Sequence, residues 1–232
     1  MKTLTTYWFL QDFNLFKKLG MSAMMEMCDL LEMENIDKGQ TIQIGTRNKK
    51  CVFFLKKGAV KIMDASSNTT KYIVKNGNIF GELSLFNLEA ASNEVAQTLE
   101  DSIICYIESD TMERLVEKHS SLKNRILKIY GLRIQKLENR LENLLFKDSK
   151  TRIEDFIQSY IEEFGVVKEH KIEAKNLLSH KDIANLTNTS RQTVNNVLST
   201  LRKDEKIFYD SKYISIINKK QLKAKQATIA TN

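Results

Sequence analysis

Between Ser190 and Lys203 the chain carries two chemistries at helical spacing. Val194, Val197, Leu198 and Leu201 fall on one face. Arg191, Gln192, Asn195, Asn196, Ser199 and Lys203 fall on the opposite one. These polar side chains donate, accept or donate in pairs, which suits base edges and phosphates. Arginine can bridge O6 and N7 of guanine, and glutamine can bridge N6 and N7 of adenine. A polar face by itself is the ordinary solvated side of an amphipathic helix. The surrounding elements decide between the two readings.

Upstream, Ser179 and Asp182 form an S-x-x-D capping box that starts a short helix. Thr187-Asn188-Thr189 is a tight polar turn, Ser190 caps the next helix, and the small Ala184 suits close approach of the two. Downstream, Lys206 to Ile216 reads as a hairpin turning at Asp210-Ser211. Helix, turn, helix and hairpin in this order predict a winged helix-turn-helix whose second helix meets the major groove with its first turn, where Arg191 and Gln192 stand. The candidate DNA-binding set is His180, Lys181, Ser190, Arg191, Gln192, Thr193, Asn195, Asn196, Ser199 and Lys203. Double-stranded DNA is the expected partner.

The net charge of +7 agrees once divided along the 232 residues. Residues 1–110 hold 12 basic and 14 acidic side chains, residues 111–149 hold 9 and 5, and residues 150–232 hold 15 and 10. The basic excess lies wholly in the second half, the distribution expected when only that half faces a polyanion.

From about Ser109 the apolar period is that of a long helix. Leu127, Tyr130, Ile134, Leu137, Leu141 and Leu144 alternate at spacings of three and four, flanked by charged residues that include Arg133, Glu138 and Arg140. A narrow apolar seam on a charged helix needs a cover, and a second copy in a parallel coiled coil supplies it. A helix packed on its own domain gives a wider stripe. A homodimer is expected.

Between Ile36 and Ile107, short runs such as Cys51-Val52-Phe53-Phe54-Leu55, Val60-Lys61-Ile62-Met63 and Tyr72-Ile73-Val74 alternate with turn residues, predicting an antiparallel jelly roll of six to eight strands. The first 35 residues or so read as helical by apolar spacing, and the tail from Lys219 to Asn232 as frayed. Cys28, Cys51 and Cys105, like His119, His170 and His180, are too scattered for a disulfide framework or a metal centre, so no cofactor is expected. Residues 36–107 hold no histidine, which argues against a metal-dependent barrel enzyme. Lacking a long apolar run or a cleavable leader, the chain is expected in the cytoplasm, away from membranes.

Lys38-Gly39-Gln40-Thr41-Ile42, Phe53 through Ile62, Phe80-Gly81-Glu82-Leu83-Ser84-Leu85-Phe86, the long helix and Ser190-Arg191-Gln192-Thr193-Val194 together resemble the CRP/FNR superfamily of bacterial regulators. The resemblance implies an α+β fold: a cyclic-nucleotide-binding-like β-barrel over 1–110, a dimerisation helix over 111–147, a winged helix-turn-helix over 148–218 and a flexible tail over 219–232. It also implies RNA polymerase as a protein partner, and an effector pocket near Gly81, Glu82, Leu83, Ser92, Asn93, Leu137 and Glu138.

The departures are specific. Where cyclic-AMP binders hold the phosphate with an Arg-Ser pair, this chain has Ser92 and Asn93, and its adenine-contacting positions are Leu137 and Glu138. Losing a buried, charge-assisted bidentate contact predicts no response to cyclic AMP. Glu82 is then expected to serve structure, for example by bonding barrel backbone. In the recognition helix Gln192 and Asn196 replace the family's frequent glutamate and later arginine. A palindromic operator follows, with half-sites one helical turn apart, each keeping one G·C pair read by Arg191 and otherwise rich in A·T. The alternatives are a sensor gated by another nucleotide, haem, nitric oxide or a metabolite, and a dimerisation scaffold that binds no DNA.

Overall fold

The computed structural model describes residues 7, 10, 13, 15–17, 19–44, 50–82, 85–86, 93–168 and 170–217. Leu83, Ser92 and the tail from residue 219 lie outside them. The chain divides into two compact units, residues 1–139 and 140–232.

In the first unit, β1 (Glu32–Ile36), β2 (Thr41–Gln43), β3 (Cys51–Lys57), β4 (Ala59–Asp64), β5 (Thr69–Lys75), β6 (Asn78–Phe80), β7 (Glu94–Thr98) and β8 (Ser102–Glu108) form two antiparallel four-stranded sheets. Their orders are β1-β8-β3-β6 and β2-β7-β4-β5. Strand β3 explains why Cys51 to Leu55 reads as an unbroken apolar run: both of its faces are buried. Phe53 and Leu55 join Val60, Ile62, Phe80, Ala96 and Ile104 in one core. Val52 and Phe54 turn to the other side. There they meet Phe13, Phe16, Met27, Met112, Leu122 and Ile126 from the N-terminal segment and from helices α1 (Met21–Leu30), α2 (Ser109–Lys118) and α3 (Ser120–Phe146). Gly58 turns β3 into β4 at φ +96°, and a side chain there would collide with Ser102.

Two local expectations change. Helix does not run through the first 35 residues. Phe13 and Phe16 are buried from bends and turns, and Leu31 is already extended (φ −85°, ψ 134°). The sheet begins earlier than Ile36, at Glu32, because Glu32 to Ile36 pair in register with Tyr106 to Ser102.

The second unit contains α4 (Ser149–Phe164), β9 (Val166–Lys168), β10 (Lys171–Lys175), α5 (His180–Thr187), α6 (Arg191–Lys203), β11 (Phe208–Tyr209) and β12 (Tyr213–Ile217). The four strands form one antiparallel sheet in the order β11-β12-β10-β9. Ile153, Ile157 and Ile161 of α4, Ile183 and Ala184 of α5, and Val194, Leu198 and Leu201 of α6 are buried. Each large aliphatic among them contributes about 1.5–3 kcal/mol. The seating of α6 is therefore set by its apolar side, leaving its other side available.

Candidate nucleic-acid interface

Local hydrogen bonds place α5 and α6. Ser179 Oγ accepts from Asp182 N at 3.1 Å, and Asp182 Oδ2 accepts from Ser179 N at 3.0 Å, completing the capping box. Asn188 closes α5 in the left-handed region at φ 50°, a conformation asparagine adopts more readily than bulkier residues. Thr189 N then donates to Ala184 O at 2.9 Å, and Ser190 Oγ accepts from Thr193 N at 3.0 Å to start α6.

Arg152 of α4 secures this turn. Its guanidinium donates to Thr187 O at 2.9 Å and Asn188 O at 3.1 Å, placing positive charge on carbonyls at the C-terminal end of α5, and to Lys147 O, just past α3, at 2.7 Å. Arg140 adds a bond to Asn185 O at 3.2 Å. Sequence reading missed both arginines, since neither belongs to the motif they brace.

The structure puts Lys181, Arg191, Gln192, Asn195, Asn196, Ser199 and Lys203 at the surface. Gln192 Nε2 donates to Asn196 Oδ1 at 3.0 Å, so these two amides form one unit. Ser190 and Thr193 are spent first on the cap. His180, Arg191, Gln192 and Asn195 line a shallow concavity, and His180 Nε2 lies 3.0 Å from the Tyr209 hydroxyl of the wing. Tyr209 was not anticipated. The wing turns where Asp210 Oδ1 accepts from Lys212 N and Tyr213 N, both at 2.7 Å.

The effector-pocket residues are brought together only in part. Glu82 is 2% exposed, just after Gly81, whose φ of +78° turns the chain inward. Its carboxylate accepts from its own backbone N–H and also reaches the long helix. Oε1 accepts from Arg133 Nη1 at 2.5 Å, and the Arg133 guanidinium lies 4.0 Å from the centre of the Tyr72 ring. Tyr130 donates to Glu82 O at 2.7 Å. Burial pushes the Glu82 carboxyl above its ordinary pKa, against the opposing pull of Arg133. Leu137 and Glu138 stand exposed on α3, and Asn93 is engaged with Ser66 at a turn. Among the described residues, no hydrogen bond joins these three to Glu82.

Arg133 is thus already paired inside the barrel unit, and removing that cation would leave the Glu82 carboxylate buried without a counter-charge.

The seam also needs revision. Tyr130 packs against its own barrel core and bonds Glu82, so it leaves the predicted stripe, and Leu144 is half-buried. Leu127, Ile134, Leu137 and Leu141 remain exposed, and Leu145 joins them.

Residues 33–119 match the cyclic nucleotide-binding domain family, and residues 160–225 match the Crp-like helix-turn-helix domain family. The chain is 28% identical over 209 residues to a global nitrogen regulator of Synechocystis sp., covering 88% of this chain and 90% of that one. It is 24% identical to an anaerobic regulatory protein of Bacillus subtilis, covering 73% and 72%. Among solved structures, FixK2 from Bradyrhizobium japonicum superposes with a TM-score of 0.69 at 16% identity, covering 84% of this chain and 96% of that one. A mutant of CooA from Carboxydothermus hydrogenoformans gives 0.64 at 20% identity, covering 82% and 84%. These likenesses extend the fold assignment across both units.

Proposed function

The chain belongs to the CRP/FNR superfamily of transcription regulators, and from that premise we propose that it recognises a palindromic operator in the cytoplasm without answering to cyclic AMP. Regulators of this family bind DNA through the helix-turn-helix and act as dimers. The activity assigned is binding rather than catalysis, as it is for the named relatives. RNA polymerase is the protein partner proposed.

One observation carries the reading. The capped helix α6 buries Val194, Val197, Leu198 and Leu201 while presenting Arg191, Gln192, Asn195 and Asn196 to solvent. Its first turn thus carries the donors that read guanine and adenine edges. Among the described residues, no helix is long and apolar enough to cross a membrane.

Selection of bound duplexes from random DNA tests the reading. The expected product is a palindrome with half-sites about one helical turn apart, each keeping one G·C pair in an A·T-rich setting. Recovery of no common sequence would contradict it.

The barrel part is tested by thermal unfolding with cyclic AMP. A ligand at 100 times its Kd stabilises by about 2.7 kcal/mol. No such rise is expected at micromolar nucleotide, because Glu82 already holds Arg133. A clear rise would overturn this part.

A further inference from the structure

We propose that His180 is a proton-linked DNA contact, its Nδ1 donating to a backbone phosphate beside the recognition helix while Tyr209 of the wing holds the other ring nitrogen. The proposal rests on the operator-binding reading above and adds a residue role that the helix-turn-helix motif does not specify.

His180 opens α5, Arg191 opens α6, and the two line one concavity with Gln192 and Asn195. The imidazole is half-buried, and its Nε2 lies 3.0 Å from Tyr209 Oη, the rings 6.0 Å apart at 33°. No second hydrogen bond to the imidazole occurs among the described residues. In the neutral tautomer that the proposal requires, the proton sits on Nδ1 and Tyr209 donates to Nε2. In the charged ring, Nε2–H donates to the Tyr209 oxygen, whose hydroxyl proton turns away, and Nδ1–H is kept. Nδ1 is thus a donor in both states, and protonation adds a positive charge without rearranging the site.

The groups around the ring set its free-state charge. Arg191 approaches from α6 and Tyr209 from β11. On its own helix Lys181 is exposed, while Asp182 is turned into the capping box with Ser179. Burial first, and the Arg191 charge second, hold the imidazole below its ordinary pKa of 6.5, so it is neutral in the free protein at pH 7. A phosphate at Nδ1 acts oppositely and raises the pKa. Binding then takes up a proton. Affinity is lowest above the bound-state pKa, rises as pH falls through it, and levels off below the free-state pKa.

The test is titration of the selected palindromic duplex from pH 8 to pH 5.5 at constant ionic strength. For each half-site the association constant should rise by up to about tenfold per pH unit at the steepest point. His180→Gln keeps a polar side chain that cannot charge, and should lose the dependence. His170→Gln, changed in the turn between β9 and β10, should keep it. Unchanged melting of each variant confirms folding. A pH-independent wild type, or a His180→Gln variant that retains the slope, overturns the proposal while leaving operator binding intact. No binding by the wild type at any pH overturns the operator-binding reading itself and this proposal with it.

Discussion

Replacing Ile134 and Leu141 together with glutamate is expected to convert the dimer to monomers and to weaken palindrome binding by about 10²–10⁴-fold. Ile134 is 57% exposed and Leu141 58%, and they lie seven residues apart on α3 with Leu127 a further seven before. Single exposed aliphatics are common, but a row at this spacing on an otherwise charged helix gains stability only by meeting a second row. Glutamates would face one another across that seam and oppose pairing. The loss in affinity follows from valency: once one half of a dimer is docked, the other binds intramolecularly, and a monomer has no such advantage. Sedimentation equilibrium reads the mass, and titration against intact and single half-site duplexes separates the effects. Affinity for one half-site should change little. A dimer that survives both glutamates would place the interface elsewhere.

Arg133→Met is expected to destabilise the barrel by about 3–5 kcal/mol, because it leaves the Glu82 carboxylate buried without a counter-charge. The cost should depend on pH in a defined direction. Burial already raises the Glu82 pKa, and removing the guanidinium raises it further. A group with a raised folded-state pKa favours the folded state at low pH, and that contribution is lost as pH rises through the folded-state value. The variant should therefore lose more stability at pH 8 than at pH 5. Adding Glu82→Leu to Arg133→Met removes the stranded charge and should recover most of the loss, since replacing a whole buried pair by apolar groups is often neutral. Thermal unfolding of the four proteins in the cycle measures this. Equal losses for Arg133→Met and the double variant would show that the ion pair is not what joins α3 to β6 and its following turn.

The parts of this molecule that were legible in its sequence are those specified over short distances. The capping box at Ser179 and Asp182, the cap at Ser190 and the apolar face of α6 each lie within a few residues, and their geometry follows from helix periodicity. The ion pair was not legible, because Glu82 and Arg133 are 51 positions apart and neither carries a local sign of the other. The same holds for Arg152, whose targets lie 35 and 36 residues on. Tyr130 fitted the heptad by spacing, yet its hydroxyl found an acceptor in its own barrel. Strand β1 was not legible because the first 35 residues or so read as helical by apolar spacing, and Glu32 and Glu34 add no apolar alternation. Both carboxylates in fact accept from the Tyr106 hydroxyl across the strand pair. Short β9 and β10 gave no signal beyond Val166, Val167 and Ile172 among lysines.

DNA recognition by this protein requires that the exposed face of α6 be the surface that meets the bases. Titrating the selected palindrome with wild type and Arg191→Ala addresses this directly, using duplexes that keep or replace the single G·C pair of each half-site. A loss of about 1–3 kcal/mol per half-site is predicted, together with relaxed preference at that base pair alone. Undiminished affinity and unchanged base preference in Arg191→Ala would contradict it.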